Sequence, residues 1–173
     1  MTAPPPTPPQ LALRKVLKIS RLNGWSVAIF AGLCALVSLV FGDLVGGSIG
    51  LLIVASGAME IHGNRLLKRR HATGMIWLIR AQLFFLSVIM AYAVSRLFSF
   101  DGEYILSNLT PEMEEALNAA GVSRAELVPL VQLFFRVFYG TIMFVSLIYQ
   151  GGMAFYYRRK SPLVIVALNL TPG

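Results

Sequence analysis

Three side chains able to do chemistry sit where the surrounding sequence is apolar: Glu60, Arg80 and Gln150. At 1.5 Å per helical residue, with boundaries near Asn64, Thr73 and Tyr157, Glu60 lies roughly 6 Å inside an apolar layer and Arg80 and Gln150 roughly 10 Å. The arginine stem can span that difference. An isolated ion in lipid costs on the order of 3 kcal/mol on insertion scales, which favours pairing Glu60 with Arg80. The expectation is therefore one buried polar cluster of Glu60, Arg80 and Gln150 near the cytosolic side. The bland alternative is that both ions reach separately to the headgroups.

Gln150 also belongs to a longer pattern. Arg136, Tyr139, Met143, Ser146, Gln150, Met153 and Tyr157 follow one another at alternating steps of three and four, which aligns them along one stripe of a helix. In lipid, a polar stripe must face protein or water. Arg136, Tyr139, Ser146 and Tyr157 are thus expected either to bond to neighbouring helices or to line a solvated path. His62 and His71 lie in or beside one hairpin, and Glu60, two positions from His62, points elsewhere, so no metal site is expected. Two histidines at matching depth on separate spans, as a haem would need, do not occur. Cys34 is the only cysteine, and no metalloprotease, nucleophile-elbow or phosphate-loop motif occurs. No catalytic residue, cofactor or metal is expected, and the protein reads as a non-enzyme.

The elements that must position these groups are apolar helices. Over 173 residues, 56% hydrophobic content and a mean hydropathy of +0.68 exceed what a soluble core needs. The formal charge of +7 is gathered in clusters at the edges of apolar runs, as in membrane anchoring and unlike a nucleic-acid-binding face. Four runs are about long enough to cross a hydrocarbon core of roughly 30 Å. They predict spans at about 22–42, 44–61, 74–98 and 137–157, within a membrane domain at 22–160. The fold class expected is an all-α integral membrane protein with four transmembrane helices.

Residues 1–10 hold five of the nine prolines and read as a disordered tail. Residues 11–21 interleave leucine and valine with Arg14, Lys15, Lys18 and Arg21, as in an amphipathic interfacial helix on anionic lipid headgroups. Eleven lysines and arginines fall on the side holding the N-terminus, whereas the other side has Arg96, Arg124 and, at its edge, Arg136. The distribution places both termini in the cytosol, with a bacterial inner (plasma) membrane as the expected location. Between spans three and four, residues 99–136 should form an extracytoplasmic helical cap. Thr110-Pro111-Glu112 opens one helix of it, and the Ser123-x-x-Glu126 capping box opens the next. The sequon at Asn108 is discounted because a proline follows it. Residues 161–173 form an apolar cytosolic tail too short to span, expected at the interface or against the bundle.

Small residues recur at helical spacing in the first two spans: Gly24, Ala28 and Gly32, then Gly46, Gly50 and Gly57. Such faces let backbones approach closely, either within the chain or in a homo-oligomer. Two functions are consistent with this pattern. The first is a structural or accessory membrane protein acting through oligomerisation or by binding a larger membrane complex. The second is a small ion or solute channel or transporter completed by several copies.

Overall fold

The computed structural model describes residues 7–99, 110–119, 121 and 124–170. Among them are five helices and no strand: α1 (Pro8–Val40), α2 (Leu44–Lys68), α3 (Thr73–Phe98), α4 (Pro111–Ala119) and α5 (Arg124–Leu170). All but α4 are long and apolar enough to cross a membrane. The sequon at Asn108, the Ser123 cap and residues 1–6 and 171–173 lie outside the described residues.

Several boundaries differ from the sequence reading, each for a local reason. The proline-rich opening is helical from Pro8, because prolines in a first turn lack only donors that have no partner there. Gln10 Oε1 accepts the Thr7 N–H at 3.1 Å and helps fix this start. The 11–21 segment is no separate helix but the first turns of α1, with Ala12, Val16 and Ser20 buried. α5 runs through Pro129 and Pro162, so the apolar tail is its last turns. Pro162 cannot donate to the Arg158 carbonyl, but Arg158 is exposed, where water can take that role.

The chain divides into two compact units: residues up to Val88 together with those from Ser146 onward, and Ile89–Val145. In the first, α1 and α2 form an antiparallel hairpin whose turn uses Gly42 at φ +77°. Asp43 caps α2, its Oδ1 accepting the Gly46 N–H at 2.9 Å. Small residues set the separation of the two helices. A Cβ on Gly57 would stand 2.9 Å from both the Ala28 nitrogen and the Gly24 oxygen, and one on Gly50 would stand 2.7 Å from the Ala35 Cβ. The turn from α2 to α3 makes an equally close contact, because a Cβ on Gly63 would lie 2.9 Å from the Gly74 oxygen. Val16, Leu67, Met75, Leu78, Tyr157, Val164 and Leu168 then close an apolar core contributed by all four long helices.

The second unit is built from aromatic contacts. Tyr92 meets Tyr139 edge-on at 6.2 Å, and Phe134 stacks on Phe138 at 5.9 Å. Arg96 donates from Nε to the Tyr92 hydroxyl at 3.2 Å. The Met113 N–H approaches Thr110 Oγ1 at 3.4 Å, which places Thr110 at the cap of α4.

A buried carboxylate as the candidate functional site

Helical phase on four helices directs polar groups inward to one place. On α1, Ser20 and Asn23 continue the buried stripe begun by Ala12 and Val16, at steps of three and four. On α2, Gly57, Glu60, Asn64 and Leu67 share the inner face, so the glycine contact with α1 leads to the carboxylate. On α3, the Gly74 contact turns Met75, Leu78 and Gln82 inward. On α5, Gln150 and Tyr157 lie two turns apart and are both buried.

Glu60 is the centre of the group and only 2% exposed. Tyr157 donates its hydroxyl to Oε1 at 2.6 Å, and Asn23 donates its side-chain amide to Oε2 at 2.6 Å. The Gln82 side chain, itself 1% exposed, lies beside the same carboxylate. Tyr149 donates to Asn23 Oδ1 at 3.0 Å, which holds the Asn23 amide in the orientation that serves Glu60. One turn along α2, Asn64 donates to the Leu17 carbonyl and to Ser20 Oγ, each at 2.7 Å. These bonds tie α1 to α2 beside the site.

The groups that hold Glu60 are all neutral. A carboxylate only accepts, and Tyr157 and Asn23, one donor on each oxygen, meet that requirement. Hydrogen bonds orient and partly stabilise the charge but do not neutralise it, and in a dry interior an uncompensated charge is costly. Two buried amide oxygens are unfilled: Oε1 of Gln82 and Oε1 of Gln150 have no hydrogen-bond partner among the described residues, nor does the Tyr156 hydroxyl. The arrangement thus combines a buried carboxyl group with neutral hydrogen-bonding neighbours and spare amide oxygens.

Of the residues singled out from the sequence, Glu60, Gln150 and Tyr157 are buried in the first unit. Arg80 is not with them. It is exposed on the outer side of α3, about 200° in helical phase from both Leu78 and Gln82, and no Glu60–Arg80 ion pair exists among the described residues. The long stripe on α5 also divides. Ser146 is half-buried in the first unit, whereas Tyr139 packs on Tyr92 and Arg136 is exposed, both in the second. Gly24, Ala28, Gly50 and Gly57 are packed within the chain. Gly32 has only Val54 within ordinary contact, and Gly46 is enclosed by Asp43 and Ser38. His62 lies edge-on to Trp77 at 5.0 Å, and His71 and Cys34 are exposed. Among the described residues no three His, Cys, Asp or Glu side chains converge as metal ligands would.

Sequence reasoning passed over Asn23, Gln82 and Tyr149. Asn23 had a signal, being an amide at the threshold of an uncharged run and next to a small residue. Gln82 stands two positions from the more conspicuous Arg80, on the opposite face. Compared with protein families, with curated proteins and with solved structures, the chain matches none.

Proposed function

We propose that the protein is a non-enzymatic membrane protein that handles protons, a small channel or transporter in which Glu60 takes up and releases the proton. The observation that carries this reading is a buried carboxylate held only by neutral donors. A carboxyl group kept within the membrane without a cationic partner marks an ion or proton site more often than a packing element. Adding a proton to either oxygen neutralises the site. The Tyr157 hydroxyl can then turn from donor to acceptor, so both states are accommodated without moving a helix. The spare oxygens of Gln82 and Gln150 can accept hydrogen bonds from water that carries the proton to or from the site.

In this reading the basic end of the helices faces the cytosol, as the lysine and arginine distribution favours, and α4 belongs to a cap on the other face. The membrane is a bacterial inner membrane, and the first turns of α1 meet its surface. Liposomes containing the purified protein and an internal pH-sensitive dye provide the test. A potassium diffusion potential should drive proton entry through the wild type and through Arg80→Leu, but not through Glu60→Gln. A silent wild type, or Glu60→Gln as active as wild type, would sink the proposal.

A second reading, assembly with further copies or with a larger complex, has its own support. Phe134, Phe138 and Phe144 on α5 are all exposed, and lipid is not the only surface that can cover them. Crosslinking in lipid checks it. A strictly monomeric protein with no co-purifying partner would leave the proton reading alone.

A further inference from the structure

Outside the Glu60 site, the described structure holds an open groove of about 560 Å³, lined by Leu17, Lys18, Arg21, Leu22, Trp25 and Lys68. A smaller recess of about 60 Å³ shares Arg21, Trp25 and Lys68 with it and adds Arg65. Helical spacing explains the groove. Lys18, Arg21, Leu22 and Trp25 follow one another on α1 at steps that keep them on one side, and Arg65 and Lys68 are one turn apart on the antiparallel α2. The four cations therefore converge from two helices.

Three features of the groove specify its ligand. No acidic side chain lines it or the recess, and among the described residues none of Lys18, Arg21, Arg65 and Lys68 has a carboxylate partner. Of the polar uncharged groups at the recess, the Trp25 indole N–H is a donor, and the Asn64 amide is already committed to Leu17 and Ser20. The groove also changes character along α1, from Lys18 and Arg21 to Leu22 and Trp25. Leu22 opens the uncharged run of α1 and is 70% exposed, and Trp25, 49% exposed, is of the type that settles at the headgroup level. A ligand that fits must carry negative charge at one end and hydrocarbon at the other.

We infer that this groove between α1 and α2 binds one anionic phospholipid, its phosphate held by Lys18, Arg21 and Lys68 with Arg65 in support, and an acyl chain lying along Leu22 and Trp25. The site is independent of the proton reading. Basic pockets between membrane helices suit such headgroups, since several cations can meet one phosphodiester while the chains remain in lipid. A soluble phosphate would satisfy the cations but leave the apolar half of the groove without purpose.

Trp25 supplies the measurement. With Trp77→Phe, it is the only tryptophan in the chain. The full-length protein is placed in bilayers in which a minority lipid with brominated acyl chains is either phosphatidylglycerol or phosphatidylcholine at equal density. Brominated phosphatidylglycerol should quench Trp25 more strongly. The triple variant Lys18→Gln, Arg21→Gln, Lys68→Gln should reduce the apparent preference by on the order of tenfold or more. Lys18→Arg with Lys68→Arg should keep it, as should Arg158→Gln, Arg159→Gln, Lys160→Gln, which removes the same charge elsewhere. Equal quenching by the two lipids in the parent protein, or equal loss in both triple variants, would overturn the site. Displacement of the bound lipid by millimolar inorganic phosphate would overturn the choice of a lipid over a soluble anion.

Discussion

The two units of the chain hold helices together by different means. In the unit containing α1 and α2, glycine pairs with alanine or glycine, backbones touch, and polar groups on four helices meet around Glu60. In the 89–145 unit the contacts are between aromatic rings, and Gly140 has open space where a Cβ would go. Lipid supplies no hydrophobic drive between helices, so close contact needs small residues or hydrogen bonds. The first unit has both and buries polar groups, while the second joins α3 to α5 through the Tyr92–Tyr139 ring contact and leaves Phe134 and Phe138, stacked on each other along α5, exposed. Burial of a carboxylate follows the small residues, because only where backbones approach can short side chains from several helices reach one point.

The largest break in this contrast should come from Gly57→Leu. Its side chain would meet the backbone of Ala28 and Gly24, atoms that cannot give way, so a loss of about 3 kcal/mol or complete failure to fold is expected. Gly140→Leu meets nothing and should leave thermal stability in detergent close to wild type. Equal effects at the two glycines would erase the distinction between the units.

Next in size is the hydrogen bond from Tyr157 to Glu60. Tyr157→Phe removes one of the donors at a buried acceptor and should cost about 1–3 kcal/mol. In a double-mutant cycle with Glu60→Gln, the two changes should couple by more than about 0.5 kcal/mol. Tyr92→Phe combined with Glu60→Gln should be additive, since Tyr92 belongs to the other unit.

Smaller still is the effect of Arg80. Because its side chain is exposed and distant in phase from the buried face of α3, Arg80→Leu should shift stability by no more than about 0.5 kcal/mol. It should also show no coupling to Glu60→Gln. Subadditive losses would restore the ion pair expected from the sequence.

The smallest effect is local to α4. The backbone N–H of Glu112 and the Thr110 hydroxyl hold the Glu112 carboxyl below its ordinary range. A depressed carboxyl stabilises the fold above its unfolded pKa and loses that contribution as pH falls through its folded one. Amide exchange within α4 should therefore gain acid sensitivity that Glu112→Gln lacks. The same pH response in both proteins would remove Glu112 from the cap.

Much of this was legible in the residues, and the remainder failed for identifiable reasons. Long apolar runs marked the four membrane-length helices, and period 3.6 placed Gly57, Glu60 and Asn64 on one face of α2. Within one helix the phase is fixed by geometry. Between helices it is not, and the sequence offered no means of knowing which side of α3 turns inward. The Gly63–Gly74 contact decides that, sending Gln82 to Glu60 and Arg80 outward. Charge also misled. Arg80 was the natural counterion on energetic grounds, yet a long cation can reach a headgroup region from an outer face, whereas Asn23 and Gln82 are short and must be met inside. The polar stripe on α5 was periodic throughout, but periodicity does not show that its two halves fall in different units.

Infrared difference spectroscopy of the reconstituted protein across a pH jump tests the central claim most directly, because it reads carboxyl protonation itself. If Glu60 exchanges its proton while held by Tyr157 and Asn23, the wild type will show a carboxyl band that is exchanged for a carboxylate band on the jump. That pair of bands will be absent in Glu60→Gln, and in Tyr157→Phe it will be displaced, as expected when one donor to the group is lost. Identical difference spectra for wild type and Glu60→Gln would show that Glu60 neither gains nor loses a proton, and would contradict the proton-handling account.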